Sequence, residues 1–68
     1  MIKYKIGQNA GILWQLIDKE GEIDCKKLMK LSEIKSDKDF YMAIGWLSRE
    51  NKVCFFETDD GLQIGLVG

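Results

Sequence analysis

The most regular pattern of apolar residues in the chain lies in residues 36–51. Four apolar side chains there follow the i, i+3, i+4, i+7 spacing that puts them on one buried face of an α-helix. They are Phe40, Ala43, Ile44 and Leu47. Ser36 precedes the run and Asp39 follows Ser36 by three residues, a capping-box arrangement that satisfies free N–H groups of the first turn. The pattern predicts a helix whose outer face carries Lys38 and Arg49.

A longer apolar helix is predicted earlier in the chain, over residues 7–20. Apolar side chains at helical spacing cover much of its circumference, so we expect it to be the central helix of the core. They are Ala10, Ile12, Leu13, Trp14, Leu16 and Ile17. Gly7 or Asn9 would cap the start, and Gly21 is a suitable residue to end the helix. Trp14 is interpreted as a packing residue.

A short helix is predicted between these two, over residues 25–31. Asp24 is a suitable N-cap for it, and Ile23 just before could form a stub of strand. Leu28 and Leu31 would face the core. Three lysines would face solvent, namely Lys26, Lys27 and Lys30.

The end of the chain has the pattern of a β-hairpin. Residues 52–57 are rich in β-branched and aromatic side chains, and residues 62–66 alternate between apolar and other side chains. Between them, residues 58–61 contain Asp60 followed by Gly61, which predicts a type I′ turn with positive φ at both central positions.

The first six residues allow two interpretations. Apolar and basic side chains alternate over residues 1–6, which predicts a half-buried strand with a charged outer face. The alternative is an irregular terminus in which the alternation has no structural meaning. The sequence leaves both open.

This order of elements resembles the winged helix-turn-helix arrangement, an α+β fold of three helices and a C-terminal two-stranded wing. Two motifs sharpen the resemblance, Gly-x-Asn-Ala at residues 7–10 and Ala-x-Gly-Trp-Leu at residues 43–47. Together with the hairpin after RENKV, they are similar to a small family of stand-alone bacterial winged-helix domains of unknown function. The resemblance implies one winged-helix domain over residues 1–68 and a DNA-binding or transcription-associated role.

Composition narrows the classes of function. Ten basic and eleven acidic residues give a net charge of −1, unlike the basic balance of most nucleic-acid-binding domains. Histidine is absent, Cys25 and Cys54 lie far apart, and the glycines form no phosphate-binding loop. We therefore expect no catalytic or metal-binding residues, no cofactor and no small-molecule substrate. Two cysteines without a signal peptide, and no apolar run of roughly 20 residues, predict a cytoplasmic chain with reduced thiols and no membrane segment.

If the domain binds DNA, five basic residues on the second and third helices are expected to contact phosphates. They are Lys26, Lys27, Lys30, Lys38 and Arg49. Two acidic clusters oppose such binding, one at the start of the third helix and one in the wing. They comprise Asp37 and Asp39, and Glu57, Asp59 and Asp60. Weak binding without sequence preference is therefore predicted, because the first half of the third helix also lacks Asn, Gln and Arg for base contacts.

The alternative is a protein-interaction or homodimerisation module that does not bind nucleic acid. Trp46 lies at the edge of the buried stripe of the third helix, so its indole either covers the wing or contacts a partner. Phe55 and Phe56 are neighbours in a predicted strand and must point to opposite faces. The residues expected at such an interface are Trp46, Tyr4 and Phe56.

Overall fold

The computed structural model describes the backbone of residues 2–67 and the side chains of residues 4–67. It contains the three helices and the C-terminal hairpin that the sequence predicts, and the strand at Ile23, which the sequence leaves open, makes the sheet three-stranded. The elements are α1 (Ile2–Glu20), β1 (Ile23–Asp24), α2 (Cys25–Ser32), α3 (Asp37–Arg49), β2 (Val53–Thr58) and β3 (Gly61–Leu66).

One hydrophobic cluster joins all of these elements. α1 packs against α3, α2 and β3, so it is the central helix that the sequence predicts. The largest side chains fully shielded from solvent are Phe40, Leu13, Ile17, Leu28 and Ile64. The predicted buried stripe of α3 is confirmed, since Phe40, Ala43, Ile44 and Leu47 are all buried.

α1 and α3 end at the residues that their local sequences specify. Gly21 has a φ of +79°, and its N–H donates to Ile17 O at 2.7 Å, which closes the last turn of α1. α3 ends in a Schellman motif, in which Asn51 N–H donates to Ser48 O and Lys52 N–H donates to Leu47 O, both at 3.0 Å. Asn51 supplies the left-handed residue at φ +57°.

Neither interpretation of the first residues, a possible N-terminal strand or an irregular terminus, is correct. Residues from Ile2 onward belong to α1, and Gly7 lies inside this helix rather than at its cap. Ile6 precedes Ala10 by four residues, so it extends the same helical face and is half-buried, whereas Tyr4 is exposed. An alternation that repeats over so few residues also fits a helix, because its second and sixth positions are one turn apart. Met1 lies outside the described residues.

The sheet has the order β1-β3-β2. Ile23 pairs with Ile64, and Phe55 pairs with Ile64 from the other side. The face that packs on the helices includes Ile23, Val53 and Ile64, all buried. Cys54, Phe56 and Gly65 lie on the opposite face, because successive residues of a strand alternate.

The predicted hairpin is confirmed, but its turn is not of type I′. Thr58 pairs with Gly61, which makes Asp59 and Asp60 the central residues. Neither has a positive φ, and the positive value falls on Gly61 at +137°. Thr58 Oγ1 donates to Gly61 O at 3.1 Å and closes the loop. The glycine therefore ends the turn instead of occupying its centre.

Candidate nucleic-acid interface

The N-cap of α2 orients the predicted basic side chains toward solvent. Asp24 Oδ2 accepts hydrogen bonds from the backbone N–H groups of Lys26 and Lys27 at 2.9 and 3.2 Å. With the helix started in this frame, Cys25 and Leu28 are buried, and Lys26, Lys27 and Lys30 are exposed. The sequence prediction for the three lysines is therefore consistent with their positions.

Leu31 corrects one detail of the α2 prediction. The sequence pattern directs it to the core, but its side chain is 43% exposed. Met29 packs against the core cluster instead, next to Leu28. The short helix therefore presents an apolar side chain beside Lys27, since residues four apart are neighbours on a helix.

A tight turn joins α2 to α3 and fixes their relative position. Ser32 Oγ donates to Met29 O at 2.7 Å and accepts from Ile34 N–H at 3.2 Å. Glu33 has a left-handed backbone with φ +60°, and Ile34 packs against the core. Ser36 then caps α3 by accepting the N–H of Asp39 at 3.3 Å. This hydrogen bond confirms one half of the predicted capping box.

The outer face of α3 is open to solvent. Lys38, Gly45 and Arg49 are exposed, and Met42 between them is half-buried. Lys38 and Arg49 are eleven residues apart, which is about 16 Å along a helix axis. A β-carbon added at Gly45 would meet nothing within 4 Å, so nothing in the described chain covers the middle of this face.

The acidic start of α3 is partly neutralised by α1, a feature that the sequence analysis missed. Lys5 Nζ lies 3.3 Å from Asp39 Oδ2, with the two side chains 64% and 32% exposed. Asp37 is exposed. The alternation in the sequence places Lys5 on the outer face of a strand, and only the helical course of residues 2–20 brings it to α3. Of the two carboxylates expected to repel DNA there, one has a cation beside it.

The wing has the opposite charge. Glu57, Asp59 and Asp60 are exposed at its tip, and residues 53–66 contain no basic side chain. The nearest cation along the chain is Lys52, which is also exposed. The acidic wing expected from the sequence is therefore a solvent-facing feature of the fold.

The three predicted interface residues lie at separate places along α1. Trp46 borders a groove of about 280 Å³ with Trp14, Gly7, Gly11 and Lys52. Phe56 borders a depression at the other end of α1, formed by residues that include Asp18 and Gly65. Tyr4 is in the first turns of α1, and its hydroxyl oxygen accepts from Gln8 Nε2 at 3.1 Å. The rise from Tyr4 to Asp18 is about 21 Å, too far for one compact patch.

Both cysteines are free thiols. Cys25 is buried, and this burial raises the pKa of its thiol. The negative charge of the nearby Asp24 carboxylate raises it further, by a smaller amount. Cys54 is half-buried on β2, with Sγ 3.7 Å from Gly65 O. β3 separates β1 from β2, so the two thiols lie about two strand spacings apart, beyond the reach of a disulfide.

No group of three or more His, Cys, Asp or Glu side chains within residues 4–67 is arranged to hold a metal ion. None of the helices between residues 2 and 67 has the length and apolar character to cross a membrane.

Comparison with known proteins identifies the fold family. The profile of a winged helix-turn-helix domain, DUF2582, matches residues 1–66. The chain belongs to this family. This DUF2582 chain is also similar to the solution NMR structure of protein BT2368 from Bacteroides thetaiotaomicron, at 30% identity and a TM-score of 0.84, covering 97% of this chain and 79% of that one. No curated protein matches this chain. The predicted fold and family are confirmed.

Within this DUF2582 domain, α2 and α3 form the helix-turn-helix and β2 and β3 form the wing. Three of the five predicted phosphate-binding residues lie on α2 and two on α3, so all belong to the helix-turn-helix. Their contact with DNA stays a prediction. The features that sequence reasoning missed are the Lys5–Asp39 ion pair and the left-handed Glu33, both of which depend on how α1 and the turn pack against α3.

Proposed function

We propose that this winged-helix domain binds duplex DNA weakly, through phosphate contacts from α2 and the outer face of α3. The observation that supports this most is the exposed row Lys26, Lys27 and Lys30 at a helix-turn-helix. Among the described residues, the ion pair of the domain joins Lys5 to Asp39 and involves no lysine of α2. The α2 ammonium groups are therefore available to an external anion.

Charge is divided between the two halves of the domain. Residues 25–35 contain four lysines and one glutamate, a net charge of +3. Residues 53–66 contain three acidic residues and no basic one, a net charge of −3. A polyanion would therefore be attracted to the helix-turn-helix side and repelled by the wing. Binding through α2 and α3 with the wing held away from phosphate is the arrangement that these charges favour.

Such binding would be strongly dependent on salt and tolerant of sequence. If all five predicted cations contact phosphates, log K should fall by about 4.5 for each decade of salt concentration. Base recognition in the major groove relies on side chains such as Arg, Asn and Gln, which the first half of α3 lacks. Phosphate contacts fix the position of a protein on DNA but carry no sequence information.

The test is a titration of duplex DNA at low salt with Lys27→Glu combined with Lys30→Glu. We expect the affinity to fall by at least tenfold and the salt slope to decrease by about 1.8, because two phosphate contacts are lost. The matched control is Lys19→Glu with Lys52→Glu, which changes net charge equally at two other exposed lysines. Equal losses in both variants, or no loss in the first, would contradict the proposed surface.

A second candidate is a homodimer or protein-interaction module. Exposed aromatic side chains favour it, with Tyr4 at 69%, Phe56 at 43% and Trp46 half-buried beside a groove. Trp46→Ala should shift the sedimentation coefficient toward the monomer if this groove is an interface. Unchanged sedimentation would remove Trp46 from consideration.

A further inference from the structure

The outer face of α3 carries a cation, a glycine and a second cation along one line. At about 100° per residue, Gly45 and Arg49 each lie about 20° from Lys38 around the helix axis. The buried side chains of α3 lie about 140–240° from Lys38, so the line is opposite the core. All three residues are exposed and form what we call the outer line of α3. A partner that docks on α3 from solvent meets this line first.

The fold gives no reason for a glycine at position 45. Gly45 lies in the interior of α3, where glycine lowers helix stability relative to alanine. Among the described glycines, positive φ values fall on Gly21 and Gly61, so Gly45 does not serve a left-handed backbone. A β-carbon at Gly45 would meet nothing within 4 Å, so no packed neighbour requires the missing side chain. The space at Gly45 is therefore free for a partner from outside.

The side chains next to the outer line leave this space open. Tyr41 and Met42 flank the line, at about 60° on one side and 40° on the other. The ring of Tyr41 packs edge-on against the buried Phe40, with ring centroids 5.3 Å apart, which directs it toward the buried side of the helix. Met42 is half-buried. The middle of the outer line thus carries no side chain, and a long basic side chain stands at each end.

The acidic residues at the start of α3 lie off the outer line. Asp37 and Asp39 are each about 100° from Lys38, on opposite sides of it. Asp39 also has Lys5 Nζ at 3.3 Å from its Oδ2 atom. The first turn of α3 therefore directs its cation along the line and its carboxylates to the sides. A polyanion aligned with the line approaches Lys38 more closely than either carboxylate.

We propose that bound duplex DNA comes closest to the domain at Gly45, where it contacts the backbone of α3, and that Lys38 and Arg49 bind phosphates on either side of this point. The inference rests on the proposed DNA binding and adds a steric requirement for glycine at position 45, since glycine lets a backbone approach a ligand closely. The two cations lie about 16 Å apart along the helix axis. The major groove is about 12 Å wide, so flexible side chains with this spacing can reach phosphates on its two sides.

The first test adds a side chain at the point of closest approach. Gly45→Ala and Gly45→Leu should each raise the urea midpoint of unfolding by roughly 0.5–1 M, because both residues favour helices and the fold has room for them. The same substitutions should weaken the binding of duplex DNA at low salt, by about threefold for alanine and at least tenfold for leucine, because the added side chain holds both cations away from the phosphates. Opposite changes in stability and affinity distinguish a contact with DNA from a role in folding.

Gly11 on α1 provides the matched control. It is also an exposed helical glycine at which an added β-carbon would meet nothing within 4 Å. Seven residues to either side of it, the same line along α1 carries Tyr4 and Asp18 instead of cations. Gly11→Ala and Gly11→Leu should therefore raise the urea midpoint and leave DNA affinity unchanged within about twofold. Stabilised Gly45 variants that bind DNA as tightly as the native chain, or equal losses at both positions, would overturn the inference.

The second test asks whether the glycine and the two cations act together. In the native chain, Lys38→Gln combined with Arg49→Gln should decrease the salt slope of DNA binding by about 1.8, because two phosphate contacts are lost. In the Gly45→Leu background the same pair should change the slope little, since leucine already separates both cations from the phosphates. A decrease of the full size in that background would contradict the proposed geometry.

The outcomes separate this inference from the proposed function. If Lys27→Glu with Lys30→Glu weakens DNA binding while Gly45→Leu does not, the α2 surface is supported and the inference about Gly45 is wrong. A native chain that binds no duplex DNA at low salt would overturn both.

Discussion

The helix-turn-helix and the wing of this domain differ in charge although they are built on the same core. α2 and its turn carry a net +3 over residues 25–35, and the wing carries −3 over residues 53–66. Both sets of side chains are exposed, so neither charge is neutralised by burial. In winged helices whose hairpin contacts the DNA backbone, the charge of the wing must not repel the phosphate groups. Because their charges are opposite, the helices and the wing cannot contribute equally to binding a polyanion.

The two regions also differ in how their surfaces are completed. The cations of α2 are held in place by a capped helix whose buried side includes Cys25 and Leu28. The wing instead exposes Phe55 and Phe56 on β2, the outer strand of the described sheet. The first surface is suited to a flexible, hydrated contact with phosphates, and the second to a contact that excludes water. The two surfaces therefore differ in the kind of contact for which each is suited.

Reversing the charge of the wing tip should have the largest effect on this contrast. Asp59→Lys with Asp60→Lys replaces two anions by two cations near the phosphates of bound DNA. We expect affinity at low salt to rise on the order of tenfold or more and the salt slope to increase by up to about 1.8. A duplex titration over several salt concentrations measures both quantities.

The control places the same charge change elsewhere. Asp18→Lys with Glu20→Lys acts at exposed residues in the last turn of α1, so it reports the effect of net charge alone. A rise of the same size in both variants would mean that the position of the wing charge is unimportant, and the contrast between the two regions would lose its functional meaning.

Glu33 offers a smaller change on the helix-turn-helix side. Its left-handed backbone, at φ +60°, is strained for any residue with a β-carbon. Glu33→Gly should raise the free energy of unfolding by about 1 kcal/mol, whereas Glu33→Gln keeps the strain and should change it little. Both remove a carboxylate from the basic region, so both should raise DNA affinity about two- to threefold at low salt.

Urea unfolding and DNA titration of the two variants separate strain from charge. Glu33→Gly and Glu33→Gln should have the same affinity for DNA and should differ in the free energy of unfolding. If Glu33→Gln left the DNA affinity unchanged while Glu33→Gly raised it, the higher affinity would come from the relaxed backbone of the turn. The Glu33 carboxylate would then not be what weakens DNA binding in this region.

The parts of the fold that could be predicted are those where several local features agree. α3 was predicted over residues 36–51 and runs Asp37–Arg49, because its cap, its apolar stripe and its final asparagine all indicate the same helix. The first turns of α1 were missed because alternation over residues 1–6 fits a strand and a helix equally. The sequence predicts the turn of the wing one residue too late, since Gly61 can accept positive φ at more than one position of a hairpin.

The candidate site divides in the same way. Exposure of Lys26, Lys27 and Lys30 follows from the N-cap Asp24 and the buried Leu28, all close in sequence. Lys5 and Asp39 form an ion pair although they lie 34 positions apart in the sequence. This pair depends on how α1 packs on α3. The position of β2 as an outer strand follows from the sheet order, which the sequence of the hairpin does not contain. The local sequence predicts that the α2 lysines are exposed, whereas tertiary packing determines which charged side chains form an ion pair.

The Lys5–Asp39 pair provides the smallest and most specific test of how α1 tunes the helix-turn-helix. Both side chains are partly exposed, so a double-mutant cycle with Lys5→Gln and Asp39→Asn should give a coupling below about 1 kcal/mol in urea unfolding, and less at high salt. Lys5→Gln alone should weaken DNA binding a few-fold, because it leaves the Asp39 carboxylate facing the phosphates. In the Asp39→Asn background the same substitution should have almost no effect. A similar loss in both backgrounds would mean that Lys5 contacts DNA directly, and α1 would then have to be added to the positive side of the domain.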